Sequence, residues 1–180
     1  MYLFRIVIIE ADCHRKGRGL SRPRFLLVLM KSSKDPIKNC KRRGEWSELQ
    51  FMARAAKNGL RLAKPWGDSS RYDVVVETGG HFVRVQVKST ANRQPNGGYV
   101  CGVHPCPGSQ LYKRGDFDFL AAYLIPEDVW YIIPARVIVR RKKTSITLYA
   151  AGLTSDWMAY REAWELLRNY RCCTTSSPAE

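Results

Sequence analysis

Residues 71–90 read R-Y-D-V-V-V-E-T-G-G-H-F-V-R-V-Q-V-K-S-T, and a β-hairpin fits that pattern best. Residues 74–76 are a β-branched run, Thr78-Gly79-Gly80 supplies a turn, and 82–87 alternates. Residues two apart on a strand share a face. Gln86 and Lys88 therefore project together, while Val85 and Val87 point the other way, into a core. Asp73 stands near the start of the first strand. An acid, an amide oxygen and an amine are thus expected to meet at one end of a two-stranded unit. That combination suits metal-assisted attack on a phosphodiester.

The rest of the chain places this hairpin in a mixed α/β domain. G-E-W-S-E-L-Q-F-M-A-R-A-A-K-N-G, from Gly44, predicts a helix with Trp46, Leu49, Met52, Ala53 and Ala56 at helical spacing. Asn58-Gly59 is its stop signal. Glu48 lies one turn before Met52, so it borders the buried stripe, where a carboxylate is costly without a partner. Short strands are predicted at 60–64, 99–103, 117–124 and 129–133, the last two split by the turn residues Pro126-Glu127-Asp128. Residues 135–149 read as basic and β-rich. Residues 156–170 read as a final helix with Thr154 or Ser155 as N-cap and Trp157, Tyr160, Trp164 and Leu167 as its apolar stripe. The expected domains are a basic extension over 1–39, a core domain over 40–150, a C-terminal helix over 151–170 and a tail over 171–180. Met30 is the expected natural start, with 1–29 an upstream extension or a poorly ordered arm; the alternative is an extra strand pair.

Charge narrows the partners. The 180 residues carry a formal net charge of +14, and 45% of them are hydrophobic, enough for a real core. Residues 1–43 hold 12 lysines and arginines against 3 acids. A second basic run is Arg140-Arg141-Lys142-Lys143. Such a field draws polyanions, and nucleic acid is the usual one. Arg71, Lys113, Arg114 and the 140–143 run are the candidate phosphate contacts. The six cysteines form no disulfide framework, and reduced thiols in a cytoplasmic protein fit better. Cys101-x-x-His104-x-Cys106 offers metal ligands, but its spacing matches no standard zinc knuckle. No apolar run approaches the roughly 20 residues that span a bilayer, so no membrane partner is expected.

The ordered set G-x-x-x-E ending in Glu48, R-Y-D ending in Asp73 and V-Q-V-K ending in Lys88 is similar to the PD-(D/E)XK nuclease superfamily. Within it, the chain resembles the group I intron homing endonucleases and, more remotely, archaeal Holliday junction resolvases. The likeness spans about residues 40–135. It implies a restriction-endonuclease-like mixed sheet flanked by helices, and Mg²⁺-dependent (or Mn²⁺-dependent) hydrolysis of DNA. It also implies Asp73, Gln86 and Lys88 as motif residues, with Glu48 as the helix acid. Metal ligands would be Asp73, Gln86, the carbonyl of Val87, and Glu48 through water. Gln86 stands where most of the superfamily has an acid, as it does in the homing branch, and Tyr72 precedes Asp73 where proline is usual. Domains of this kind often pair to cut two strands, so a homodimer or higher homo-oligomer is a further expectation. Two other readings are a non-catalytic nucleic-acid-binding module on the same fold and a purely structural protein.

Overall fold

The computed structural model describes residues 37–67, 69–105, 111–150 and 155–170, together with the backbone of 4–9 and 26–31. The chain divides into two units, Met1–Pro36 and Ile37–Glu180. In the first, strands β1 (Phe4–Ile9) and β2 (Leu26–Lys31) pair antiparallel, with Phe4 opposite Lys31 and Ile9 opposite Leu26. Met30 lies inside β2. The basic stretch between these strands and the tail over 171–180 fall outside the described residues.

The second unit opens with helix α1 (Cys40–Lys57). The helix starts four residues ahead of Gly44 because the Asn39 side chain accepts the Arg42 backbone N–H at 3.1 Å, a good N-cap. It stops in a Schellman pair. The Leu60 N–H reaches the Ala55 carbonyl, and the Gly59 N–H reaches that of Ala56. Gly59 takes φ +76, which a side-chain-bearing residue resists. The buried face of α1 is Ser47, Phe51 and Ala55, rotated from the expected stripe; Leu49 is 61% exposed. An aromatic side chain decides the rotation. Phe51 meets Trp130 edge-on at 5.5 Å and stacks on Trp164 at 5.7 Å, and it buries more apolar surface than Leu49 could.

Strands β3 (Arg61–Ala63), β4 (Val74–Thr78), β5 (His81–Thr90), β7 (Phe119–Leu124) and β8 (Val129–Pro134) form a five-stranded sheet in the order β3-β4-β5-β7-β8. All its pairings are antiparallel except β5 with β7. Between β5 and β7 the chain makes β6 (Tyr99–Gly102), which pairs with β9 (Ser145–Leu148) as a separate two-stranded sheet. The β4–β5 turn has Gly79 and Gly80 at φ +54 and +78, the double positive φ that matches hairpin twist.

Side-chain alternation sorts the core into two layers. On one face of the sheet, Leu120, Ala122, Tyr131 and Ile133 pack with Tyr99, Cys101, Ile146 and Leu148 from the small sheet. On the other, Val74, Val76, Val83, Val85, Ala121, Trp130 and Ile132 pack with Phe51 and Ala55 of α1 and with Leu167. The entry to β7 is pinned by Asp118. Its carboxylate takes the Arg84 guanidinium at two atoms (3.0 and 3.1 Å) and the Arg84 backbone N–H at 2.8 Å.

Two predicted elements come out differently. Residues 135–141, read as strand-like, form helix α2 (Ala135–Arg141). Pro134 precedes it, the Ala135 N–H bonds the Asp118 carbonyl, and Ala135 and Ile138, three apart, face the core. The continuous helix expected over 156–170 is broken into a 3₁₀ turn, Met158–Tyr160, and the short helix α3 (Glu165–Arg168). Glu162 causes the break. It sits at φ +50, its carboxylate accepts the Trp130 backbone N–H and the Trp164 indole N–H, and its own N–H bonds the Trp130 carbonyl. These tertiary bonds outweigh helical propensity. Ser155 still accepts the Trp157 N–H, at 3.4 Å, while Thr154 lies outside the described residues.

Candidate active site

The hairpin pairing fixes which side chains meet. Val74 lies opposite Val85, so Asp73 stands across from Gln86, just where β4 peels away while β5 runs on to Thr90. Past that point β5 has no strand partner on that side among the described residues, and the Asp73 carboxylate supplies an acceptor instead. Oδ2 takes the Val87 backbone N–H at 2.7 Å and an amide N–H of Gln86. Neither bond uses Oδ1. The Gln86 amide nitrogen also faces the Val87 carbonyl at 3.4 Å. A carboxylate only accepts, so the Gln86 amide must turn its nitrogen toward Asp73. Its oxygen, the atom expected to face a cation, is left for other partners.

Lys88, two residues on, projects on the same face as Gln86. Its ammonium lies 6.0 Å from the Tyr112 ring centroid, and its charge acts on Asp73. Glu48 comes in from α1 and is held by Lys64, whose ammonium reaches Glu48 Oε2 at 2.6 Å. Glu48 also acts electrostatically on Asp73. The structure thus brings Glu48, Asp73, Gln86, Val87 and Lys88 to one end of the sheet. Lys64 is the residue that sequence reasoning missed. It lies 16 residues from its partner, and only the return of the chain along β3 joins them.

The electrostatics of Asp73 bear on metal binding. Burial pushes its carboxyl up from the usual range to about 6. The Glu48 carboxylate adds to the rise, and the Val87 N–H, Lys88 and Lys64 oppose it. Loss of solvent around Asp73 thus outweighs the attraction of the two lysines for its charged form. Lys64 is raised above its ordinary value, chiefly by its hydrogen bond to Glu48.

The donor set fits a hard divalent cation. Asp73 Oδ1, the Gln86 amide oxygen and the Val87 carbonyl are oxygen donors of the type that Mg²⁺ and Mn²⁺ prefer, and the charge of Glu48 acts on Asp73. Among the described residues no three His, Cys, Asp or Glu gather at one point. Neutral oxygens would therefore complete such a site. Cys101, from the Cys101-x-x-His104-x-Cys106 stretch, is fully buried, and burial raises its thiol well above the usual range. Cys106 lies outside the described residues.

The basic candidates separate into groups. Lys113, Arg114, Lys142 and Lys143 line one groove of about 490 Å³ with Tyr112, the residue beside Lys88. Arg140 and Arg141 line a neighbouring cleft with Arg114 and Arg136, an exposed arginine that sequence reasoning did not single out. Arg141 is engaged by the protein itself. It pairs with Asp156 at 3.0 Å and lies over the Trp157 ring at 4.4 Å. Arg71 is exposed beside Tyr72 and Asp73 and lines neither of these clefts. No helix among the described residues is long and apolar enough to cross a membrane.

A family model described as PD-(D/E)XK endonuclease matches residues 38–167. Protein 5.3 of Escherichia phage T7 is 38% identical over 88 residues, which are 48% of this chain and 73% of that protein. A solved structure of a bacterial homing endonuclease, I-Ssp6803I, is similar at a TM-score of 0.61 and 29% identity, over 73% of this chain and 92% of the other.

Proposed function

The chain belongs to the PD-(D/E)XK endonuclease family, and from that premise we propose that it hydrolyses phosphodiester bonds in DNA with Mg²⁺ or Mn²⁺. The observation that carries this reading is the convergence of Glu48, Asp73, Gln86, Val87 and Lys88 where β4 leaves β5. A bound divalent cation would draw charge from the scissile phosphate and lower the pKa of the attacking water. Asp73 would hold such a cation through Oδ1, and Val87 and Gln86 would add neutral oxygens. One amide serves twice: the Gln86 N–H steadies Asp73 while its oxygen remains a donor. The Lys88 ammonium, whose charge acts on the Asp73 carboxylate, stabilises charge on the phosphate oxygens as they gain it. Lys64 fixes Glu48 so that the acid can orient water. Lys113, Arg114, Lys142 and Lys143 form a cationic groove next to Lys88 through Tyr112 and grip the phosphate backbone.

The test is nicking of supercoiled plasmid by wild type, Asp73→Ala and Lys88→Ala with Mg²⁺ or Mn²⁺, and with a chelator. Lys88→Ala is expected to slow cleavage roughly 100- to 1,000-fold while retaining most binding. Salt-sensitive binding with no cutting by wild type in either metal would replace this reading with that of a non-catalytic binding module. Equal nicking by all three proteins would place the chemistry elsewhere.

A further inference from the structure

Trp66 is 100% exposed, alone among the tryptophans of the described residues. A single exposed apolar residue is ordinary on a protein surface, but the position of this one is not. It lies two residues after Lys64, whose ammonium holds Glu48, so its Cα is within about 7 Å of the Lys64 Cα. It precedes Asp73 by seven residues in the same connection between β3 and β4. Pro65 fixes φ on one side of it, and Gly67 takes φ +79 on the other. The loop therefore presents the largest apolar side chain to water at the rim of the cation-binding end of the sheet. Exposed Arg71 stands on the same connection, with Lys64, which is paired to Glu48, at its start and Asp73 at its end.

We propose that Trp66 is a stacking platform for an unpaired nucleobase beside the scissile phosphate. This rests on the nuclease reading above and adds a substrate class to it: strands with an accessible base face, as opposed to a fully paired duplex. The chemistry of the occupant follows from the site. On the nuclease reading, the chain that passes this end of the sheet is a nucleic-acid strand, which is anionic. The indole is flat and apolar, so the ligand also carries a flat apolar face. A nucleotide joins both, and base–aromatic stacking tolerates any sequence because every base has a π-face.

The experiment compares wild type, Trp66→Ala and Trp66→Phe for binding, with Ca²⁺ in place of Mg²⁺. The ligands are a 20-nucleotide mixed-sequence single strand, the same strand with every base removed, and the paired duplex. The two single strands carry equal charge, so their difference reports the bases. Wild type is expected to prefer the base-bearing strand. Trp66→Ala should lose roughly 10-fold affinity for that strand and little for the abasic one, and Trp66→Phe should recover most of the loss. Unchanged melting temperatures would show that the fold is intact. Wild type that cuts DNA but binds both single strands equally, or Trp66→Ala that keeps the preference, overturns the stacking role alone. A loss on substitution that is confined to duplex also overturns it. Wild type that neither binds nor cuts any of the three overturns the nuclease reading with it.

Discussion

Asp73→Asn is expected to leave less than about a thousandth of wild-type cleavage and, in the same molecule, to raise the melting temperature of the metal-free protein at pH 8. The two effects share one cause. Asp73 is a desolvated carboxyl whose folded value of about 6 lies above its ordinary 3.8. A group that binds its proton more tightly when folded favours the folded state at low pH. For Asp73 this contribution is complete below about pH 4 and is lost as pH rises through 6. Above pH 6 the ionised carboxylate is a cost that asparagine avoids. For this half-buried group the cost is on the order of 1 to 2 kcal/mol after discount for solvent screening. The asparagine oxygen can still accept the Val87 N–H. The gap in melting temperature between variant and wild type should therefore close on acidification toward pH 4. Thermal melts across pH, without metal, check this. A variant less stable than wild type at pH 8 would contradict it. Divalent cation should narrow the gap from the other side, by stabilising only the protein that keeps the carboxylate.

Trp130→Ala should be the most damaging change away from the site. Trp130 is 1% exposed. Its ring stacks on Tyr123 at 4.3 Å with only 9° between planes, and Phe51 and Trp164 meet it at 5.5 and 6.0 Å. Its backbone is bonded in both directions to Glu162. Removing the ring joins sheet, α1 and the C-terminal segment to a cavity, at a cost of about 3 to 5 kcal/mol. For a unit of this size that lowers the melting temperature by about 10 °C. Trp130→Phe should recover part of the loss. Chemical denaturation of both variants measures it, and a shift below about 1 kcal/mol for alanine would show that this cluster does not bind the layers together.

The hairpin was legible because each of its signals is local. The β-branched run, the paired glycines and the period-two alternation all act over a few residues, and they place Asp73, Gln86 and Lys88 at one end. The signals that failed were overruled from a distance. Val137, Ile138 and Val139 favour a strand, yet the Asp118 carbonyl and the core contacts of Ala135 and Ile138 make α2. The 156–170 stripe has helical spacing, but Glu162 bonds Trp130 across 32 residues and bends the chain out of the helix. Phe51, by packing on two tryptophans, set the rotation of α1 that helical spacing alone placed elsewhere. At the site, residue types were readable but partners were not. Nothing local pairs Lys64 with Glu48, or turns the Gln86 nitrogen toward Asp73.

The most direct test is the anomalous diffraction signal of Mn²⁺ in crystals of the protein with a non-cleavable DNA strand. The expected result is an ion about 2.1 Å from Asp73 Oδ1, with the Val87 carbonyl also in its coordination sphere and Glu48 joined through water. An ion held by other acids, in crystals whose protein still cuts DNA in solution, would contradict the assignment.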